Sequence, residues 1–99
     1  MPHGNSNDNF KPHHLYAIYD KEKEDIFKYG ISHDLIDAHG LSDRVRKQLI
    51  FLNSAVDWER FYGKIFVADI DGRIKARALE DDYINAYEAT YGQKPRGNV

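Results

Sequence analysis

Glu80 is the carboxylate whose neighbours most suggest chemistry. On a helix it lies about 40° around the axis from Ala76 and about 100° from Leu79, so it borders an apolar stripe. Arg73 and Arg77 share its face at i−7 and i−3. Such a group is either half of an Arg77–Glu80 surface pair, worth roughly a few tenths of a kcal/mol, or a carboxylate holding a hard divalent cation through oxygen. Arg44 and Arg46 open another helical pattern, where they could clamp a phosphate or face solvent. Tyr16, Tyr19 and Tyr29 have the setting of packed strand residues. A tyrosine becomes a base only where a cation or metal lowers its pKa from about 10. Lys28 stands in the middle of an apolar strand, as a snorkelling surface residue or as a charge with a task. His13 and His14 are adjacent, and His33 and His39 share a loop. Adjacent histidines on an extended strand point opposite ways, and no spacing here matches a zinc motif.

The elements that must position these groups begin with two aromatic, β-branched arms, His14 to Tyr19 and Ile26 to Ser32, around a polar turn at Asp20 to Asp25. This is a β-hairpin pattern. Alternation puts Leu15, Ala17 and Tyr19 on one face and Tyr16 and Ile18 on the other. On the second arm it groups Ile26, Lys28, Gly30 and Ser32 against Phe27, Tyr29 and Ile31. Ser42 reads as an N-cap followed by Asp43. Val45, Leu49, Leu52 and Val56 recur at helical spacing, so a helix is expected over residues 42–53. Phe61 to Ala68 is apolar enough for a third, central strand, and Asp71-Gly72 for a turn. The longest helix is expected from Arg73 to Tyr91, with Ala76, Leu79, Tyr83 and Ala86 buried. Gly92 and Pro95 stop it.

Ninety-nine residues make one domain with a modest core. Residues 1–12 read as a disordered lead or linker and residues 13–99 as the folded domain. No stretch approaches the roughly 20 apolar residues of a membrane span, and no signal peptide is expected. Without cysteine there are no disulfides or thiolate metal sites. A net charge of −2 argues against indiscriminate coating of nucleic acid, though not against a local basic patch. The expected fold is α/β (α+β): a three-stranded antiparallel sheet in the order hairpin, helix, strand, helix, flanked by its helices.

In this order and spacing the chain resembles the GIY-YIG endonuclease family over roughly residues 13 to 98. His14-Leu15-Tyr16 stands where that family has Gly-Ile-Tyr, and Lys28-Tyr29-Gly30 where it has Tyr-Ile-Gly. The arginine-bearing helix matches Ser42 to Leu49. Ala78-Leu79-Glu80 matches the helix presenting the metal-binding glutamate, and Pro95-Arg96-Gly97-Asn98 the closing turn. More narrowly, His3-Gly4-Asn5-Ser6, Pro12-His13-His14-Leu15-Tyr16, Lys28-Tyr29-Gly30-Ile31-Ser32 and the Gly-Asn ending are similar to the C-terminal toxin domains of bacterial polymorphic (Rhs or contact-dependent) toxins. Two positions depart from the family pattern: His14 replaces its first glycine and Lys28 its second-motif tyrosine.

The resemblance implies a Mg²⁺- or Mn²⁺-dependent nuclease toxin cutting DNA, with a nuclease for RNA or tRNA, or an inactive binding module, as alternatives. It implies Tyr16 as base with Lys28 beside it, Glu80 as metal ligand, and Arg44, failing that Arg46, on the scissile phosphate. His14, a proton shuttle, and Tyr19 would flank the site. Arg46, Lys47 and Arg77 would bind substrate, and Asn98 and Tyr29 would support, Asn98 orienting the shell around Glu80. A cognate immunity protein is the expected partner, and release from one bacterium to act in the cytoplasm of another the expected route.

Overall fold

The computed structural model describes residues 10–99; the expected disordered lead lies, for residues 1–9, outside the described residues. Strands β1 (Pro12–Asp20) and β2 (Asp25–Ser32) form the hairpin, and helix α1 (Asp43–Val56) follows. Strand β3 (Phe61–Asp71), helix α2 (Gly72–Tyr91) and a closing 3-10 turn (Arg96–Asn98) complete the chain. The sheet is antiparallel in the order β2-β1-β3, and the α+β architecture is the expected one. Among the described residues no helix is long and apolar enough to cross a membrane.

The central strand is β1. The third strand, expected at the centre from its apolar run, is an edge strand. Burial explains the difference: every β1 residue from His13 to Ile18 is buried, whereas β3 is half exposed along its length.

One sheet face packs Tyr16 and Ile18 against Val45, Leu49, Leu52 and Val56 of α1, with Phe61 and Ile65 beside them. The other packs Ala17 and Tyr29 against Tyr83, Ile84 and Tyr87 of α2.

Two local patterns depart from strict periodicity. The β1–β2 register shifts between Ile18, opposite Lys28, and Tyr19, opposite Ile26, which leaves Phe27 as a bulge residue. Phe27 therefore joins the α1 face with Lys28, and Ile26 joins Tyr29 on the α2 face, the reverse of simple alternation. On α2, Ala86 is exposed and Tyr87 buried. The buried line runs through Ala76, Tyr83, Ile84 and Tyr87, with Glu80 between them. Helix α1 begins after Ser42 as expected and runs one turn longer than residue 53. The Ser42 side chain does not cap it; its Oγ instead shares a hydrogen bond with His14 Nε2 (3.0 Å).

Candidate active site

Tyr16 sits in the middle of the central strand, opposite Gly30 of β2, and is 1% exposed. Its phenol ring lies against Gly30. A Cβ on that glycine would be 2.8 Å from Tyr16 Cε2 and closer still to Cζ and Oη, so only glycine leaves room for the ring. The same hairpin register presents Lys28 one pleat away on the α1 face, held by the bulge at Phe27.

These groups open into a cavity of about 270 Å³ at the end of the sheet where β1 begins and β2 ends. Tyr16, Lys28, Arg44 and Glu80, four residues from four elements, all line it, as do Arg77, Tyr29 and Asn98. Arg44 comes from the first turn of α1, fixed there by a bond from its backbone N–H to Asp34 Oδ2 (2.9 Å). Glu80 comes from the buried line of α2. Burial pushes the Glu80 carboxyl above its ordinary pKa; the Arg77 charge works against this. Burial likewise lowers the Lys28 pKa, the nearby Arg44 charge adds to that, and Glu80 opposes it. The mutual influence of Lys28, Arg44 and Glu80 is that of charges sharing one enclosed volume.

Asn98 supports the cavity from the C-terminus. Its Oδ1 accepts from the Tyr29 N–H (2.9 Å) and its Nδ2 donates to the Tyr29 carbonyl (2.8 Å). The side-chain amide thus takes the place of a neighbouring strand on the outer edge of β2, next to Gly30. It touches Tyr29 backbone rather than the expected shell around Glu80. Close approach is possible because Gly97 has no side chain: a Cβ there would lie 2.7 Å from Phe27 Cε2 and 2.8 Å from Lys28 Cβ.

Four expected site residues are not brought into the cavity. Tyr19 is on the opposite sheet face, its ring stacked on Tyr62 at 5.0 Å. His14 is buried beside Tyr16, ring centroids 6.3 Å apart, outside the cavity lining; its Nε2 is hydrogen-bonded with Ser42 Oγ, and burial lowers its pKa. Arg46 binds Asp37 through two guanidinium nitrogens (2.7 and 3.1 Å), closing the loop between β2 and α1. Lys47 is exposed and faces Asp43 at 3.8 Å.

Other residues enter that the sequence reading did not assign to the site. His13, His33, Asp34 and Arg73 line the cavity, the two imidazoles 5.5 Å apart. Gln48 of α1 reaches both Lys28 (Nζ to Oε1, 2.9 Å) and Tyr16 (Nε2 to Oη, 2.5 Å). Its signal was its place four residues after Arg44, on the same helix face.

Among the described residues no three His, Asp or Glu side chains come together to cage a metal ion. Glu80 is instead a half-buried carboxylate among Lys28 and three arginines, with Asp34 the second carboxylate on the cavity wall. That set fits a hard cation such as Mg²⁺, which keeps most of its waters and needs one or two carboxylates with substrate phosphate.

The fold is a small α+β domain whose sheet end gathers guanidinium, ammonium, phenol and carboxylate groups around a single cavity. Over residues 6–92 the chain matches the family model described as Tox-URI2, URI fold toxin 2. It belongs to that family, a toxin domain of the bacterial polymorphic kind. No curated protein and no solved structure matches the chain.

Proposed function

We propose that this toxin domain is an endonuclease of the GIY-YIG kind, cleaving phosphodiester bonds with a divalent cation, with DNA as its substrate. The reading is carried by one observation: the side chains of Tyr16, Lys28, Arg44 and Glu80 line the same cavity. Cleavage needs a deprotonated nucleophile and neutralised charge on the transferring phosphate.

Arg44 pairs with nonbridging phosphate oxygens, and Arg77, with Arg73 behind it, holds the flanking backbone. Tyr16, ionised beforehand, takes one proton from the attacking water through its phenolate oxygen. The resulting oxygen bonds to phosphorus, and the P–O bond to the leaving group breaks. That electron pair stays on the leaving oxygen, which takes a proton from solvent. Glu80 would hold Mg²⁺ or Mn²⁺, which when bound would supply positive charge at the leaving oxygen.

Supercoiled plasmid, single-stranded DNA and tRNA, each incubated with the domain and Mg²⁺ with and without chelator, test the reading. Metal-dependent nicking of the plasmid, lost in Glu80→Gln, is the expected result. Cutting of tRNA alone moves the substrate to RNA. Retention of DNA without cleavage makes the domain a binding module, and no effect on any polymer ends the nuclease reading. A toxin domain also implies a cognate immunity protein, whose acidic groups would meet the cationic cavity, and delivery into a target cell, where the cytoplasm holds the substrate.

A further inference from the structure

Gln48 hydrogen-bonds both Lys28 and Tyr16, and its orientation is dictated by chemistry. The Lys28 ammonium has donors only, so the Gln48 atom 2.9 Å from it is the carbonyl oxygen Oε1. Turning the amide over would set an NH₂ group against an NH₃⁺ group. With Oε1 committed to Lys28, the atom at 2.5 Å from Tyr16 Oη is the amide nitrogen, and it donates. The Tyr16 oxygen is therefore an acceptor on its Gln48 side. Whatever else that oxygen offers, a hydrogen or a second lone pair, faces elsewhere. The ring is pressed against Gly30 on one side, and Tyr16 lines the cavity.

We propose that Gln48 is a positioning residue that passes the Lys28 charge to Tyr16 and turns the reactive side of the phenol oxygen toward the substrate. This rests on the nuclease reading above and deepens it: it names what ties the lysine at the second motif to the tyrosine at the first. A positive charge on the carbonyl end of an amide polarises the N–H at the other end, and hydrogen bonds in series strengthen one another. The polarised N–H favours an oxygen carrying negative charge over a neutral one. Gln48 itself neither gains nor loses a proton. The lysine thus acts on the tyrosine through a rigid planar group on the facing helix. The departure from the family pattern at Lys28 and the glutamine one turn beyond Arg44 become one device.

Gln48→Glu tests the inference with almost no change of shape. A carboxylate accepts from both neighbours, so Tyr16 must donate to it and its oxygen is turned around. The expected result in the plasmid assay is a fall in kcat of about 100-fold, in the range of a misdirected acid–base group, with KM unchanged. Gln48→Met, which removes both bonds, should lose somewhat less. Combined with Lys28→Met it should be no worse than Lys28→Met alone, because one link is then broken twice. Independent of activity, the NMR resonance of the hydroxyl-bearing Tyr16 ring carbon should move in Gln48→Glu while those of Tyr29, Tyr83 and Tyr87 stay. Wild-type kcat in Gln48→Glu, or losses that multiply in the double variant, would overturn the proposal. A wild-type domain that cuts no nucleic acid would instead overturn the nuclease reading, whatever the Tyr16 resonance does.

Discussion

Glu80 lies between the buried residues of α2 and is itself half-buried, facing the cavity it lines. Burial raises its pKa, and the sign of that shift has two consequences. In the unfolded chain the carboxyl ionises more readily than in the fold. At neutral pH the ionised group therefore subtracts from stability; the subtraction shrinks as pH falls through the folded pKa and is gone below the unfolded one. Glu80→Gln is expected to hold or raise Tm while abolishing cleavage; a marked fall in Tm would mean that the carboxylate is a structural partner of Arg77. Because burial raises the carboxyl pKa in the metal-free domain, metal binding must displace that proton, so Mg²⁺ affinity should fall as pH drops toward the folded pKa. Affinity independent of pH, measured by titration across a buffer series, would disconnect Glu80 from the metal. Tyr16→Phe should cost nearly as much activity as Glu80→Gln, and an unchanged rate would remove Tyr16 from the base role.

Among the elements, the β1–β2 hairpin is the part that sets the site. Its register puts Tyr16 over Gly30, its bulge puts Lys28 on the α1 face, and its outer edge is clamped by Asn98. Gly30→Ala forces a methyl group into the phenol ring, and overpacking of this kind costs about 1–3 kcal/mol. It should lower Tm and displace Tyr16 from the cavity, so that cleavage falls far more than the lost stability accounts for. Asn98→Leu deletes two hydrogen bonds to Tyr29, each worth about 1 kcal/mol, and leaves the strand edge beside Gly30 unpaired. Its expected signature is faster amide hydrogen exchange in β2 with α2 unaffected. Uniform acceleration through the domain would show that the clamp holds the whole fold rather than one edge.

At the scale of the whole molecule, one buried carboxylate joins the parts. Asp20, 1% exposed, ends β1. Its oxygens accept from the Glu22 and Lys23 N–H groups of the hairpin turn, from the Arg60 guanidinium (2.8 Å at both oxygens), and from Arg96 in the closing turn (2.5 Å). It thereby ties hairpin, β3 and C-terminus together. These partners, Arg60 first, hold its carboxyl well below the usual carboxylate range. A depressed folded pKa contributes stability that is present above the unfolded aspartate value, about 4, and is lost as pH falls through the folded one. Removing one member of such a buried set costs about 3–5 kcal/mol. In a domain of this size that is a Tm loss on the order of 10 °C or more. Asp20→Asn should show that loss at neutral pH and a flatter decline of Tm in acid than the wild type. Parallel acid profiles would assign the acid sensitivity to other carboxylates.

By itself the sequence determined what repeats along the chain: the hairpin arms, the two helices, the Gly92 stop and the α+β class. These follow from periodicities of 2 and 3.6 and from local caps and turns. It also marked Tyr16, Lys28, Arg44, Glu80, Arg77 and Asn98, residue types that handle phosphate at positions resembling a known pattern. Only the tertiary structure decided which strand is central, since an apolar run does not say how many neighbours it will have. It alone decided that Phe27 bulges, because a bulge depends on the partner strand's register. It alone separated Arg44, whose side chain lines the cavity, from Arg46, spent on Asp37. It alone showed what Gln48 and Asp20 hold, for the same physical reason: Lys28 and Tyr16 on one, Arg60 and Arg96 on the other, lie 20 or more residues away, and contacts across such distances leave no local period to read.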